Sequence, residues 1–230
     1  MKRKTEAAQA PAKRRAGTPG RKPTLKREEI VAAALAILDA DGYQALSMHA
    51  IARRLNTGPA TLYNYFESLS DIEDAIAAEL MAAVRAPEVG GPVREQLIDM
   101  AVTYYDMVLQ HPQVDLLTGP QAVQTRARLV NGAIRAMVDA GVGLESAALT
   151  MTVLSGFAYS AAVAARIDGD QRAQHRSLIP AADRDMIEKA RASTFFGGPP
   201  RDVFRRAVEV TIDRLIPELK PAGRSRGAPR

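Results

Sequence analysis

Residues 47–66 read SMHAIARRLNTGPATLYNYF, and the organisation of the chain can be worked outward from them. Ser47 carries a hydroxyl just ahead of a segment in which Ile51 and Leu55 share one face, the pattern of a capped amphipathic helix. Asn56-Thr57-Gly58 then supplies turn chemistry, and Pro59 stands where a new helix would start, a position at which its missing N–H costs nothing. The spacing predicts two short helices, Ser47 to Leu55 and Pro59 to Phe66, joined by a three-residue turn. Upstream, Thr24 is placed to cap a longer helix with Ile30, Ala34, Ile37 and Leu38 on one side, ending at Asp41-Gly42. Downstream, Ser68 or Ser70 caps a fourth helix in which Ile72, Ile76, Leu80 and Val84 recur every four residues until Pro87.

Two short helices around a tight turn, packed on a longer preceding one, make a helix-turn-helix, whose second helix lies in the DNA major groove with its N-terminus toward the base edges. Pro59, Ala60 and Thr61 are small enough to approach those edges, and the Thr61 methyl and hydroxyl offer both an apolar and a hydrogen-bonding contact. Tyr63 and Tyr65 project about 200° apart around a helix. One of them can therefore reach phosphate or base while the other faces elsewhere, with Asn64 between them. Arg53 and Arg54 on the supporting helix are placed for backbone phosphates, which position a protein without reading sequence.

The 230 residues are 47% hydrophobic with 5% aromatics and no Trp, a mixture that favours helix and can bury a sizeable core. The expected fold is all-α. The chain has no Cys, which excludes disulfides, thiolate metal sites, iron-sulfur clusters and cysteine nucleophiles, and leaves His49, His111 and His175 as its imidazoles. No Gly-x-Ser-x-Gly elbow, phosphate loop or His-Glu-x-x-His motif occurs, so neither an enzyme nor a cofactor or metal centre is expected. Charge is unevenly placed. Residues 1–27 hold ten Lys and Arg against Glu6 alone, a net +9, and the stretch from Lys220 adds +4, while Glu28 to Leu219 is −8. Basic ends on an acidic body point to a polyanion partner; the plainer reading is a pair of solubilising tails. The N-terminus lacks the apolar stretch of a secretory signal, so a cytoplasmic location is expected.

Pro11, Gly17, Pro19, Gly20 and Pro23 mark residues 1–23 as a disordered basic arm, with the helix-turn-helix domain over 24–86. Pro87 to Pro92, with Gly90-Gly91, separates it from a helical domain over 93–218, and 219–230 form a disordered basic tail. Further helices are expected at about 93–110, 120–140, 144–167, 183–195 and 201–217, with a short turn near 112–118 and a mobile polar loop over Asp168 to Ala182. Ser146 to Ala165 carries no charge and meets the length criterion for a membrane span, but Thr150, Thr152, Ser155, Tyr159 and Ser160 dilute it. Ala148, Thr152, Gly156, Ser160 and Ala164 fall at four-residue spacing, a small-residue stripe that lets another helix approach closely. A buried packing helix is expected there, and no membrane partner.

Residues 28–80 resemble the N-terminal domain of the TetR (tetracycline-repressor) family of bacterial transcription regulators. The resemblance is carried by Ile30-Val31-Ala32-Ala33-Ala34, Asp41-Gly42, Leu46-Ser47-Met48, Ile51-Ala52 and above all Ala60-Thr61-Leu62-Tyr63-Asn64-Tyr65-Phe66-Glu67-Ser68. Val108-Leu109-Gln110-His111-Pro112 and Asp139-Ala140-Gly141 extend it into the C-terminal part. It implies that Pro59 to Phe66 contacts bases, chiefly through Thr61 and Tyr63, that Tyr65 meets phosphate, and that the Ser47 hydroxyl binds phosphate. Where the family usually has a phosphate-contacting Lys, this chain has Leu69, and the basic arm is a substitute for that contact.

The resemblance further implies a homodimer built on a four-helix bundle, a pseudo-palindromic double-stranded DNA operator, and a small-molecule effector bound between C-terminal helices. Thr152, Gly156 and Ser160 of the small-residue stripe match one bundle helix, and Phe204, Val208, Ile212 and Leu215 line the other. Met100, Tyr104, Met107, His111, Gln124, Arg128, Met151, Phe157 and Tyr159 combine apolar bodies with polar or soft tips and are the effector candidates. His111 matches in position a metal-ligand histidine of the family, but a His-Pro at a helix end serves equally as a C-cap, and without a companion ligand the cap is the favoured reading. The rival to a ligand-released repressor is an architectural DNA-binding protein held by its basic arm without an effector.

Overall fold

The structure, a computed structural model, describes residues 25–167 and 169–219. Ten α-helices follow one another: α1 (Arg27–Asp41), α2 (Met48–Arg54), α3 (Pro59–Leu62), α4 (Leu69–Met81), α5 (Val93–Gln110), α6 (Pro120–Asp139), α7 (Leu144–Ala165), α8 (Gly169–Ser177), α9 (Ala181–Arg191) and α10 (Pro200–Leu215). Four 3₁₀ turns, at Tyr43–Ala45, Val114–Leu116, Thr194–Phe196 and Pro217–Leu219, complete the regular structure, and no strand occurs among the described residues. The fold is all-α.

Local chemistry sets most of these boundaries. The Ser47 hydroxyl accepts the Ala50 N–H at 3.2 Å and starts α2. A reciprocal pair, Asp71 N–H to Ser68 Oγ at 3.2 Å and Ser68 N–H to Asp71 Oδ2 at 3.0 Å, starts α4 as a capping box. Pro59, Pro120 and Pro200 each occupy the first helical position of α3, α6 and α10. Gly42, with φ +87°, ends α1 in a conformation that a side chain rarely adopts.

Three expectations change. The helix expected over 59–66 is helical only to Leu62 and continues in turns, and α4 stops at Met81 rather than running to Pro87. The stretch expected as a loop over Asp168 to Ala182 contains α8, a polar helix without an apolar periodicity to announce it, with Asp170 in its first turn and His175 and Arg176 in its last. The predicted arm over 1–23, Thr24 and the basic tail from Lys220 lie outside the described residues, and the cap of α1 expected at Thr24 is instead Lys26, whose N–H donates to Glu29 Oε2 at 2.9 Å.

Helices α5 and α7 pack together along their lengths, with α6 on one side and α10 on the other, while α4 lies between α1 and α6. One core runs from Ile30, Leu38, Ile51 and Leu62 through Ile72 and Ile76 to Leu97, Val108, Met137, Leu154 and Ile212. The two sequence-defined parts therefore share a continuous interior rather than meeting through a loose linker. Helix α10 is further pinned to α5 by three ion pairs, Arg94–Asp213 and Arg201–Asp106 at 2.8 Å and Arg205–Asp99 at 3.5 Å.

Candidate nucleic-acid interface and ligand cavity

The turn between α2 and α3 is a Schellman closure: the Thr57 N–H donates to Ala52 O at 2.9 Å and the Asn56 N–H to Arg53 O at 3.2 Å, with Asn56 left-handed at φ 51°. Behind it, Ile51, Ala52, Leu62 and Phe66 are buried, with α2 packed on α3 and on α1. Arg27 clamps the back of the unit, its guanidinium 3.9 Å from the Phe66 ring centroid and donating to the Tyr65 carbonyl. In front, Arg53, Arg54, Ala60, Tyr63 and Asn64 are exposed, and Pro59, Thr61 and Tyr65 are half-buried beside them. Ser47 is half-buried, and its cap bond uses a lone pair, so its O–H remains free to donate. All nine residues predicted to touch DNA are thus exposed or half-buried, and Leu69, without a charge, is half-buried at the start of α4.

A cavity of about 100 Å³ lies at the meeting of four helices. Met81 at the end of α4 and Val84 just beyond it close one side, Leu97, Met100, Ala101 and Tyr104 line it from α5, Arg126, Leu129 and Val130 from α6, and Met151, Leu154, Ser155 and Ala158 from α7. The Tyr104 hydroxyl donates to Asp115 Oδ2 at 2.5 Å; burial, and then this bond, push its pKa well above the ordinary tyrosine range, so the phenol stays neutral.

Polar contacts join this region to the DNA-facing unit. Glu73 of α4 is buried and accepts from the Tyr43 hydroxyl at 3.0 Å and from the Thr118 N–H at 3.1 Å. Asp74 accepts the Ala122 N–H in the first turn of α6 at 2.8 Å, and a Cβ on Gly119 would collide with the same carboxylate. On the other side of α1, Gln113 accepts the Tyr43 N–H at 2.5 Å, and His111 Nδ1 lies 2.9 Å from Asp39 Oδ2.

Residues 30–76 match the profile of a family described as bacterial regulatory proteins, tetR family. A curated HTH-type transcriptional regulator of Saccharopolyspora erythraea is 32% identical over 122 residues, 50% of this chain. The match spans about half the length of that relative, 51%. The HTH-type transcriptional repressor DrrR1 of Streptomyces coeruleorubidus is 28% identical over 187 residues, 76% of this chain and 67% of the repressor. Among solved structures, apo ActR of Streptomyces coelicolor superposes with a TM-score of 0.60 at 26% identity, over 86% of this chain and 98% of ActR. ActR in complex with (S)-DNPA does so with a TM-score of 0.58 at 27% identity, over 84% and 98%. Residues 30–76 form a TetR-family N-terminal domain.

Within this fold the effector candidates separate. Met100, Tyr104 and Met151 line the cavity. Met107 is buried without lining it, and Tyr159 is half-buried outside it. Phe157 faces a separate cleft between α7, α8 and α10, its ring 5.2 Å from that of Phe204. His111 sits at the C-cap of α5, where its N–H donates to Met107 O at 2.8 Å and its ring meets Asp39, away from the cavity. Gln124 and Arg128 lie on the exposed side of α6, 3.3 Å from one another. The residue missed on that helix is Arg126, which does line the cavity.

The outward faces differ from expectation on one helix. On α7, Ala148, Thr152, Gly156, Ser160 and Ala164 are all exposed, opposite the buried Ala147, Thr150, Met151, Leu154, Ala158 and Ala162. The stripe is therefore not part of the protomer interior. The Thr152 hydroxyl donates to Ala148 O at 3.0 Å, so this polar group is satisfied within the helix. On α10, Phe204, Val208 and Ile212 are buried in the protomer against α5 and α7, and Leu215 is half-buried. Large apolar residues at helical spacing mark the face that fills the protomer core; on the other side of α10, Val210 and Arg214 are exposed and Val203 and Ala207 half-buried.

Proposed function

We propose that this chain is a homodimeric, ligand-responsive transcriptional regulator of the TetR family acting on cytoplasmic DNA, a repressor released from a pseudo-palindromic operator by a small-molecule effector. The observation that carries the reading is the position of the cavity: its wall includes the end of α4, the helix that braces the helix-turn-helix. Filling it acts on Met81 and Val84 directly, and on the start of α6, which Glu73 and Asp74 bind to α4. An effector that fits the cavity better in one setting of α4 than in another shifts the population toward that setting. Two reading heads held by a two-fold axis must match half-sites about one DNA turn apart, so a tilt of α4 in each protomer weakens the operator complex. Thr61, Tyr63, Ala60, Pro59 and Asn64 read the groove, while Ser47, Arg53, Arg54 and Tyr65 hold phosphates. The small-residue face of α7 and the outer face of α10 form the four-helix bundle with the second protomer.

Selection of genomic DNA fragments by the full-length protein at near-physiological salt, followed by sequencing, tests this. A recurrent pseudo-palindrome is expected. Binding that is steeply salt-dependent with no shared site would refute a sequence-reading dimer and favour an architectural protein held by its basic ends.

A further inference from the structure

The walls of the cavity specify the chemistry of what it takes, on the reading that it is the effector site. Its lining is aliphatic and thioether apart from three polar side chains, Tyr104, Arg126 and Ser155. The Tyr104 hydrogen is committed to Asp115 at 2.5 Å and the Ser155 hydrogen to the Met151 carbonyl at 2.8 Å. Arg126 is different. Its Nη2 donates to Leu117 O at 2.6 Å, but Nη1 is buried without a hydrogen-bond partner among the described residues. A guanidinium keeps its charge at any physiological pH, so this group cannot escape the cost by losing a proton. Asp115 Oδ1 is unpaired as well, but Asp115 does not line the cavity, whereas Arg126 does; Nη1 lies behind the apolar lining, and a bound molecule reaches it by displacing the thioether side chains in front of it.

We infer that the effector is a lipophilic acid, an apolar body bearing one carboxylate or equivalent anionic acceptor that docks on Nη1 of Arg126. A cationic donor would leave Nη1 unpaired and face a like charge, and a pure hydrocarbon would leave it unpaired. A carboxylate entering an apolar site is strongly disfavoured unless it meets a charged donor, and Arg126 supplies it. The resting volume of about 100 Å³ holds roughly one ring. Met81, Met100 and Met151 surround that space, and unbranched thioether side chains re-pack readily, so a fused or substituted ring is accommodated by their movement.

The test uses full-length protein and three probes of one shape: 1-naphthoate, naphthalene and 1-naphthylmethylammonium. The chain has no Trp, so naphthalene fluorescence can be followed without tryptophan background. Expected is at least tenfold tighter binding of the acid than of either comparison probe. Arg126→Met should reduce the acid to the level of the hydrocarbon while naphthalene binding persists, and Arg126→Lys should keep part of the acid preference. Equal binding of acid and hydrocarbon by the unsubstituted protein overturns the inference whether or not the variants fold, and so does an acid preference that survives in folded Arg126→Met. If naphthalene binds and lowers affinity for the selected operator with no acid preference, the cavity stands as the effector site and the inference alone fails. Binding of none of the three overturns both.

Discussion

Gly156 separates the stability of the protomer from the stability of the pair. It lies in the middle of α7 on the exposed small-residue stripe, and a Cβ built there meets nothing within 4 Å. Within the protomer, Gly156→Gln should therefore be favourable, because replacing a helix-interior glycine by a good helix former gains about 0.5–1 kcal/mol. In the bundle the same position faces another helix at an axis separation of about 8–10 Å, where an added large side chain costs about 1–3 kcal/mol. Two-fold symmetry places the substitution in the interface twice, so the dimer should weaken by about 2–6 kcal/mol, a factor of about 30 to 20,000 in Kd. Sedimentation velocity over a concentration series should show monomers for Gly156→Gln where the unsubstituted chain is dimeric, with unchanged helical circular dichroism. Gly156→Ala, which adds a single methyl, should remain largely dimeric. If Gly156→Gln dimerises as tightly as the unsubstituted chain, the α7 stripe is not the interface and the four-helix arrangement is refuted.

Other consequences can be checked on the same material. Glu73→Ala leaves the half-buried Tyr43 hydroxyl and the Thr118 N–H without their acceptor and should destabilise by about 1–3 kcal/mol in denaturant unfolding at fixed protein concentration, with Glu73→Gln losing less. Asn56→Val must hold a β-branched residue at φ 51° and should lose about 1–2 kcal/mol or more, whereas Asn56→Gly should be tolerated within about 0.5 kcal/mol. Thr61→Ala should weaken the selected operator by about 1–3 kcal/mol and relax base preference at one position of each half-site, measured by binding to a set of singly substituted sites. The raised pKa of Tyr104 makes its contribution to stability complete below the ordinary tyrosine value near pH 10 and lost as pH rises through the folded value. The stability difference between Tyr104→Phe and the unsubstituted chain should be constant below about pH 9 and shrink above about pH 10.

What could be read directly from the chain was chemistry confined to a few neighbouring residues. The cap at Ser47, that at Ser68 (one of two serines the pattern allows), the proline opening α3 and the turn at Asn56 each act over three or four positions, and each is found in place. Helix α8 escaped because its sequence has no apolar side to reveal a period, so a polar loop and a polar helix look alike. The cavity residues are half legible: Met100, Tyr104 and Met151 show by residue type, but on α6 the polar tips of Gln124 and Arg128 belong to the exposed side. The signal for Arg126 was its register. Ala122, Arg126, Leu129, Ala133 and Met137 fall at helical spacing on one stripe, and an arginine on the apolar stripe of an amphipathic helix is held there by the interior rather than by solvent.

The same argument explains why the α10 residues predicted for the dimer seam fill the protomer instead. A helix that buries one side in its own protomer and offers another to a second copy has no single apolar face, and the stronger periodicity belongs to the side with the larger residues. Phe204, Val208 and Ile212 carry that periodicity and fill the protomer, whereas Val203, Ala207 and Val210 are smaller, lie among Arg206 and Arg214, and give a weaker signal. On α7 both faces are apolar, which is why it is long and apolar enough to cross a membrane by composition while its buried side is built from Ala147, Met151, Leu154, Ala158 and Ala162. The α7 stripe was found because small residues at four-residue spacing are themselves unusual, a signal of how closely another helix can come rather than of how much surface is buried. A dimer helix is therefore best sought where two apolar periods of unequal side-chain size share one helix, with the smaller period assigned to the partner.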